Sequence, residues 1–85
     1  MKGNDIMWIP EYVADILTSI QSCLLLLQIR HSIEFEYNYY AGRDEIVIRT
    51  SHAHSLTFDS LIKKLHHSLD ITENEFIYRI YWEEK

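Results

Sequence analysis

Residues 23–27, CLLLL, put five apolar side chains in succession, and whatever they form must hide more than one side of its backbone. As a helix, such a segment is apolar all round and has to be covered on two sides. A membrane is not the cover: residues 13–29 also hold Asp15, Thr18, Ser19, Gln21, Ser22 and Gln28, too polar for a span that needs about 20 mostly apolar residues. On a helical projection Val13, Ile16, Leu17, Ile20, Cys23, Leu24 and Leu27 make one stripe at i, i+3, i+4, i+7 spacing, the pattern of an amphipathic helix. Pro10 and Glu11 suit its first turn and Arg30 and His31 its negative end, so the helix is expected over residues 10–30. Leu25, Leu26 and Ile29 project from the opposite side. Either a second helix covers them or another chain does, as in a homodimer.

Residues 32–40, SIEFEYNYY, alternate Ile33, Phe35, Tyr37 and Tyr39 with Glu34, Glu36 and Asn38, which predicts a half-buried strand. The tetrapeptide AGRD supplies a turn, and residues 45–51 return as a second strand with Ile46 and Ile48 inward. From Thr57, a candidate cap, the residues Phe58, Leu61, Ile62, Leu65 and Leu69 recur at helical spacing and predict a second helix over 57–69. Residues 75–83 alternate again, with Phe76, Tyr78, Ile80 and Trp82 on one side, and predict a third strand. The expected fold is α+β, in the order α-β-β-α-β: a three-stranded antiparallel sheet with two helices packed on one face. Crossover preferences then put strand 32–40 at the centre, with the other two strands as edges blunted by Arg49, Arg79 and Glu83.

Eighty-five residues with two glycines and one proline leave room for one compact domain, residues 1–85, and short loops. Cys23 is the one cysteine, so no internal disulfide forms, and its place in the leucine run marks a buried thiol. No basic, apolar and small-residue sequence of the secretory kind precedes the run, and the expected compartment is the cytoplasm. The net charge is −5, and residues 70–85 set five carboxylates against Arg79 and Lys85. Without a lysine and arginine stripe, direct binding to nucleic acid or to an anionic membrane surface is disfavoured.

Five histidines raise the question of a metal. His52 and His54 share an i, i+2 spacing in SHAHS and, with His66 or His67, would suit zinc or nickel; the bland alternative is a polar loop and an exposed helix face. A histidine oriented by Asp59 or Asp44 could act as a general base, but no nucleophile, phosphate-cradling loop or cofactor motif accompanies it. Ser51, Ser55 and Thr57 read as turn and cap residues.

The open sheet face carries the stronger signal. By strand phase it holds Glu34, Glu36, Arg49, Arg79, Tyr81 and Glu83, and tyrosine and arginine are enriched in protein interfaces. The bland alternative is a solvated face laced with ion pairs such as Glu36 with Arg79. In size, acidity and lack of a catalytic signature the chain looks like small proteins that neutralise a larger one: immunity proteins, antitoxins and phage-encoded inhibitors of a host enzyme. The likeness is one of class, with no motif behind it. The sequence therefore points to a non-enzymatic protein-binding module without cofactor, with a histidine-dependent metal-binding protein and a structural subunit of a larger assembly as alternatives.

Overall fold

The computed structural model describes residues 8–51 and 55–83. Among them the chain runs α1 (Glu11–Leu26), β1 (His31–Asn38), β2 (Arg43–Thr50), α2 (Leu56–Ile62), β3 (His66–Ile71) and β4 (Phe76–Tyr81). The α+β class holds, but the described sheet has four strands, all antiparallel, in the order β1-β2-β4-β3. The expected three-stranded sheet centred on residues 32–40 is therefore corrected in two ways: β1 is an edge, and a strand replaces the C-terminal half of the second predicted helix.

The first correction follows from β2. Glu45, Ile46, Val47, Ile48 and Thr50 are all buried, the mark of a strand covered on both faces and flanked on both edges, where an uninterrupted apolar run replaces alternation. Its partners are β1 on one side, from His31 opposite Thr50 to Asn38 opposite Arg43, and β4 on the other, where Ile46 faces Ile80 and Ile48 faces Tyr78. The strict alternation of β1 belongs instead to an edge half open to water.

The second correction comes from a spacing that serves two periods. Leu65 and Leu69 are four apart, which fits one face of a helix and equally one face of a strand. Here α2 stops at Ile62, and His67, Leu69 and Ile71 line one face of β3 opposite Ile80, Tyr78 and Phe76. A tight turn closes the β3–β4 hairpin: the Thr72 amide donates to Glu75 O at 2.9 Å, and Thr72 Oγ1 accepts from the amides of Asn74 and Glu75. Such side-chain to backbone bonds favour a turn over continued helix.

Both helices are shorter than expected, and their ends say why. Pro10 is the N-cap of α1 rather than part of its first turn. At the other end Gln28 takes φ +58°, its amide donates to Leu25 O and the Ile29 amide donates to Leu24 O. This is a Schellman cap; it ends the helix before Arg30 and folds Ile29 back onto the core beside Leu24. In α2 the capping side chain is Ser55, which accepts from the Phe58 amide at 3.0 Å, and not Thr57. The β1–β2 turn likewise lies earlier than AGRD. It spans residues 39–42, with the Gly42 amide on Asn38 O at 2.7 Å and Gly42 at φ +68°, a conformation glycine adopts without strain.

The core cluster gathers Val13, Ile20, Cys23 and Leu24 of α1, Phe58 and Ile62 of α2, Leu65, Ile46 and Ile48 of β2, Tyr78 and Ile80 of β4, and Trp82. Phe58 meets Tyr78 edge-on, with ring centroids 5.2 Å apart, an arrangement that aromatic quadrupoles favour. Burial pushes the Tyr78 hydroxyl up to about 12, and the negative charge of Asp59 adds to that shift.

Candidate interaction surface on the sheet

The register puts Glu34, Glu36, Arg43, Glu45, Val47, Arg49, Arg79 and Tyr81 on the sheet face opposite Ile46, Ile48, Tyr78 and Ile80. The predicted site residues Glu36, Arg49, Arg79 and Tyr81 are thus on one face, and most already have partners. Arg79 Nη1 reaches from β4 across β2 to Glu36 Oε1 at 3.5 Å, the cross-strand ion pair that the alternation suggests. Arg49 Nη1 pairs with Glu75 Oε2 at 3.1 Å. Tyr81 carries the Arg43 guanidinium 3.6 Å from its ring centroid and the His66 ring nearly parallel at 5.6 Å, a cation–π and stacking arrangement. Glu34 and Glu83 are exposed, the latter beyond the end of β4.

At the middle of this network sits a residue whose burial the alternation does not announce. Glu45 is fully buried; its Oε2 accepts from Asn38 Nδ2 at 2.9 Å and from Arg43 Nε at 3.0 Å. Its Oε1 faces Arg79 Nη1 at 3.6 Å, within ion-pair but outside hydrogen-bond reach. A buried carboxylate is tolerable only when so compensated. The sequence signal was Glu45 two residues from Arg43 on the same strand face, joined to the unbroken apolar run of residues 46–48. Val47, opposite Glu34 and Arg79, is buried on the same face.

The exposed aromatic side chains of the sheet lie along β1 and its turn. Phe35 and Tyr37 share the core-side face with Ile46 and Asp44 opposite, yet Phe35 is 54 % exposed and Tyr37 nearly as much, because β1 is the sheet edge. Tyr39 and Tyr40 in the turn are exposed almost completely. Tyr37 and Tyr39 pack edge-on at 4.9 Å, and with Tyr40, Glu36, Asn38 and Arg79 they line a depression of about 370 Å³. These tyrosines were expected on the buried face or were passed over.

The other predicted residues lie elsewhere. Leu25 and Leu26 are exposed, so α2 does not cover them, whereas Ile29 packs on the core. His52 and His54 lie outside the described residues. His66 and His67 are on β3, not on a helix, and His67 Nδ1 lies 3.0 Å from Leu65 O. Among the described residues no three of His, Cys, Asp or Glu are grouped to hold a metal, and no helix is long and apolar enough to cross a membrane. Cys23 is a buried free thiol, its Sγ 3.7 Å from Ser55 Oγ. Comparison with protein-family models, curated proteins and solved structures finds no match.

Proposed function

We propose that the chain is a small acidic, non-enzymatic protein-binding module of the cytoplasm that neutralises a larger protein by occluding part of its surface, as inhibitors, immunity proteins, antitoxins and phage-encoded inhibitors of host enzymes do. In this reading both helices cover the Ile46–Ile48 side of the sheet, and the partner meets the other side together with the β1 edge. The observation that carries the proposal is the aromatic set at the β1 edge, Phe35 and Tyr37 on the strand and Tyr39 and Tyr40 in the turn after it, exposed beside Glu34 and Glu36. An edge strand offers unpaired backbone groups for strand addition. Large aromatics beside charge are the composition of interface anchors and their rim.

The ion pairs give the predicted contact set two different duties. Arg79 and Tyr81, held by Glu36, Glu45, Arg43 and His66, act as a pre-ordered platform that loses little side-chain freedom on binding. Glu34 and Glu83, exposed in the free chain, set partner charge: the net −5 steers toward a basic surface and speeds encounter at low salt. Arg49, tied to Glu75, sits at the margin.

Native mass spectrometry of the untagged chain drawn from its own cells tests the reading. The expected result is a complex with one foreign protein that is lost when Phe35 and Tyr37 become alanine. If Glu34, Glu36, Arg79 and Tyr81 can all become alanine with the same complex intact, the sheet surface is not the binding site.

A further inference from the structure

We propose that a second copy of this chain docks on the face formed by α1 and α2, making a closed dimer related by a two-fold axis. The inference is independent of the sheet-surface reading and concerns the other side of the molecule. Between the two helices runs a groove of about 530 Å³, lined by Ser19, Ser22, Leu26, Leu27, Thr57 and Leu61 among others, with no charged side chain in its lining. Beside it stand leucines that the fold leaves in water: Leu25 is 62 % exposed, Leu26 83 % and Leu56 85 %. A chain that places leucines on its surface next to an apolar groove has built both a ridge and a recess in one patch.

What favours a second copy as the occupant is charge. A two-fold contact brings a patch against itself, so any net charge on it meets the same charge on the copy. With 25 % charged residues and a net −5, two copies repel each other on average. Residues 16–29 contain no Asp, Glu, Lys or Arg at all, and they supply the α1 side of the groove. The exposed apolar row on β1 fails the same test: Glu34 and Glu36 flank Phe35. Antiparallel self-pairing centred on that row sets these carboxylates across from one another, which destabilises a sheet.

Three of the polar side chains in the lining, Thr18, Cys23 and Ser55, already have partners within the fold. Thr18 Oγ1 donates to Ala14 O at 3.0 Å, Ser55 Oγ accepts from the Phe58 amide, and Cys23 Sγ and Ser55 Oγ are 3.7 Å apart. Covering these three leaves their bonds in place, so the desolvation cost falls on the hydroxyls of Ser19, Ser22 and Thr57. Leu26 of each copy then enters the groove of the other.

Sedimentation equilibrium of the untagged full chain, from about 1 to about 100 µM, tests this. The expected result is a monomer–dimer equilibrium that Leu26→Glu weakens at least about 100-fold, while Phe35→Glu leaves it unchanged; circular dichroism reports whether each variant is folded. Should Leu26→Glu fail to fold, Leu26→Ser takes its place, with a smaller weakening expected. A wild-type chain that stays monomeric throughout, as it would if residues 1–7, a membrane or a different protein covered the groove, overturns the proposal. So does a dimer that survives Leu26→Glu, one that Phe35→Glu abolishes, or association that continues beyond two copies.

Discussion

The two broad surfaces of this molecule expose residues for opposite reasons. On the sheet, charged side chains reach the surface but are tied to one another: Glu36 to Arg79, Arg79 and Arg43 to the buried Glu45, Arg49 to Glu75. On the helices, Leu25, Leu26 and Leu56 reach the surface without being needed by the core. The charges of the sheet network belong to the fold, whereas the exposed leucines of the helices add nothing to its core. Surface position alone therefore says little about availability, and a list of exposed residues would mislead in both directions.

The contrast breaks first at Glu45. Glu45→Ala leaves Arg43 and Asn38 without their shared acceptor, and we expect it to lower stability by about 2 kcal/mol in urea unfolding, while Glu34→Ala, exposed on the same face, changes it by less than about 0.5 kcal/mol. Equal effects at the two carboxylates would mean that the network does not hold the sheet. Alkaline pH probes the core between the surfaces. Because the Tyr78 hydroxyl is raised from 10.0 to about 12 in the folded state, chiefly by burial and then by Asp59, the folded chain holds that proton more tightly than the unfolded one. Stability should be full below pH 10 and fall as pH rises from 10 to 12, and Tyr78→Phe should remove that part of the fall.

Smaller effects sharpen the comparison. Gln28→Gly, at φ +58°, relieves a left-handed side-chain conformation at the end of the leucine helix and should stabilise by about 0.5 kcal/mol after the entropy of the extra glycine is counted. A double-mutant cycle on Arg49 and Glu75, both about one-third exposed, should give a coupling of no more than about 0.5 kcal/mol. Leu25→Ser should barely change monomer unfolding measured at low protein concentration.

How much of this was legible beforehand depends on which physical signal each segment carries. The α1 stripe from Val13 to Leu24, the β1–β2 hairpin and the inward Phe76, Tyr78, Ile80 and Trp82 follow from periodicity and match the structure, whereas Leu27, expected on the stripe, is the exposed C-cap of the helix. The β3 strand was hidden because Leu65 and Leu69 satisfy helical and strand spacing at once, and only Ile71 and the Thr72 turn separate the two. The crossover preference that puts β1 at the centre is overridden by the uninterrupted Ile46-Val47-Ile48 run, since burial on both faces is what marks a central strand. The end of α1 went unseen because its left-handed cap is Gln28 rather than glycine. On the surface, alternation correctly put Glu36, Arg49, Arg79 and Tyr81 on one face, yet it carries no information about depth, so the burial of Glu45 and the exposure of Phe35 emerge only once β1 is known to be the edge.

The division of duty between the two surfaces is tested most directly by equilibrium urea unfolding at several protein concentrations. Association through the helix face adds stability by mass action, so the wild-type midpoint should rise with concentration, that of Leu26→Glu should not, and Glu45→Ala should lower the midpoint while keeping the rise. A wild-type midpoint independent of concentration, or a Leu26→Glu chain as unstable at low concentration as Glu45→Ala, would contradict the account.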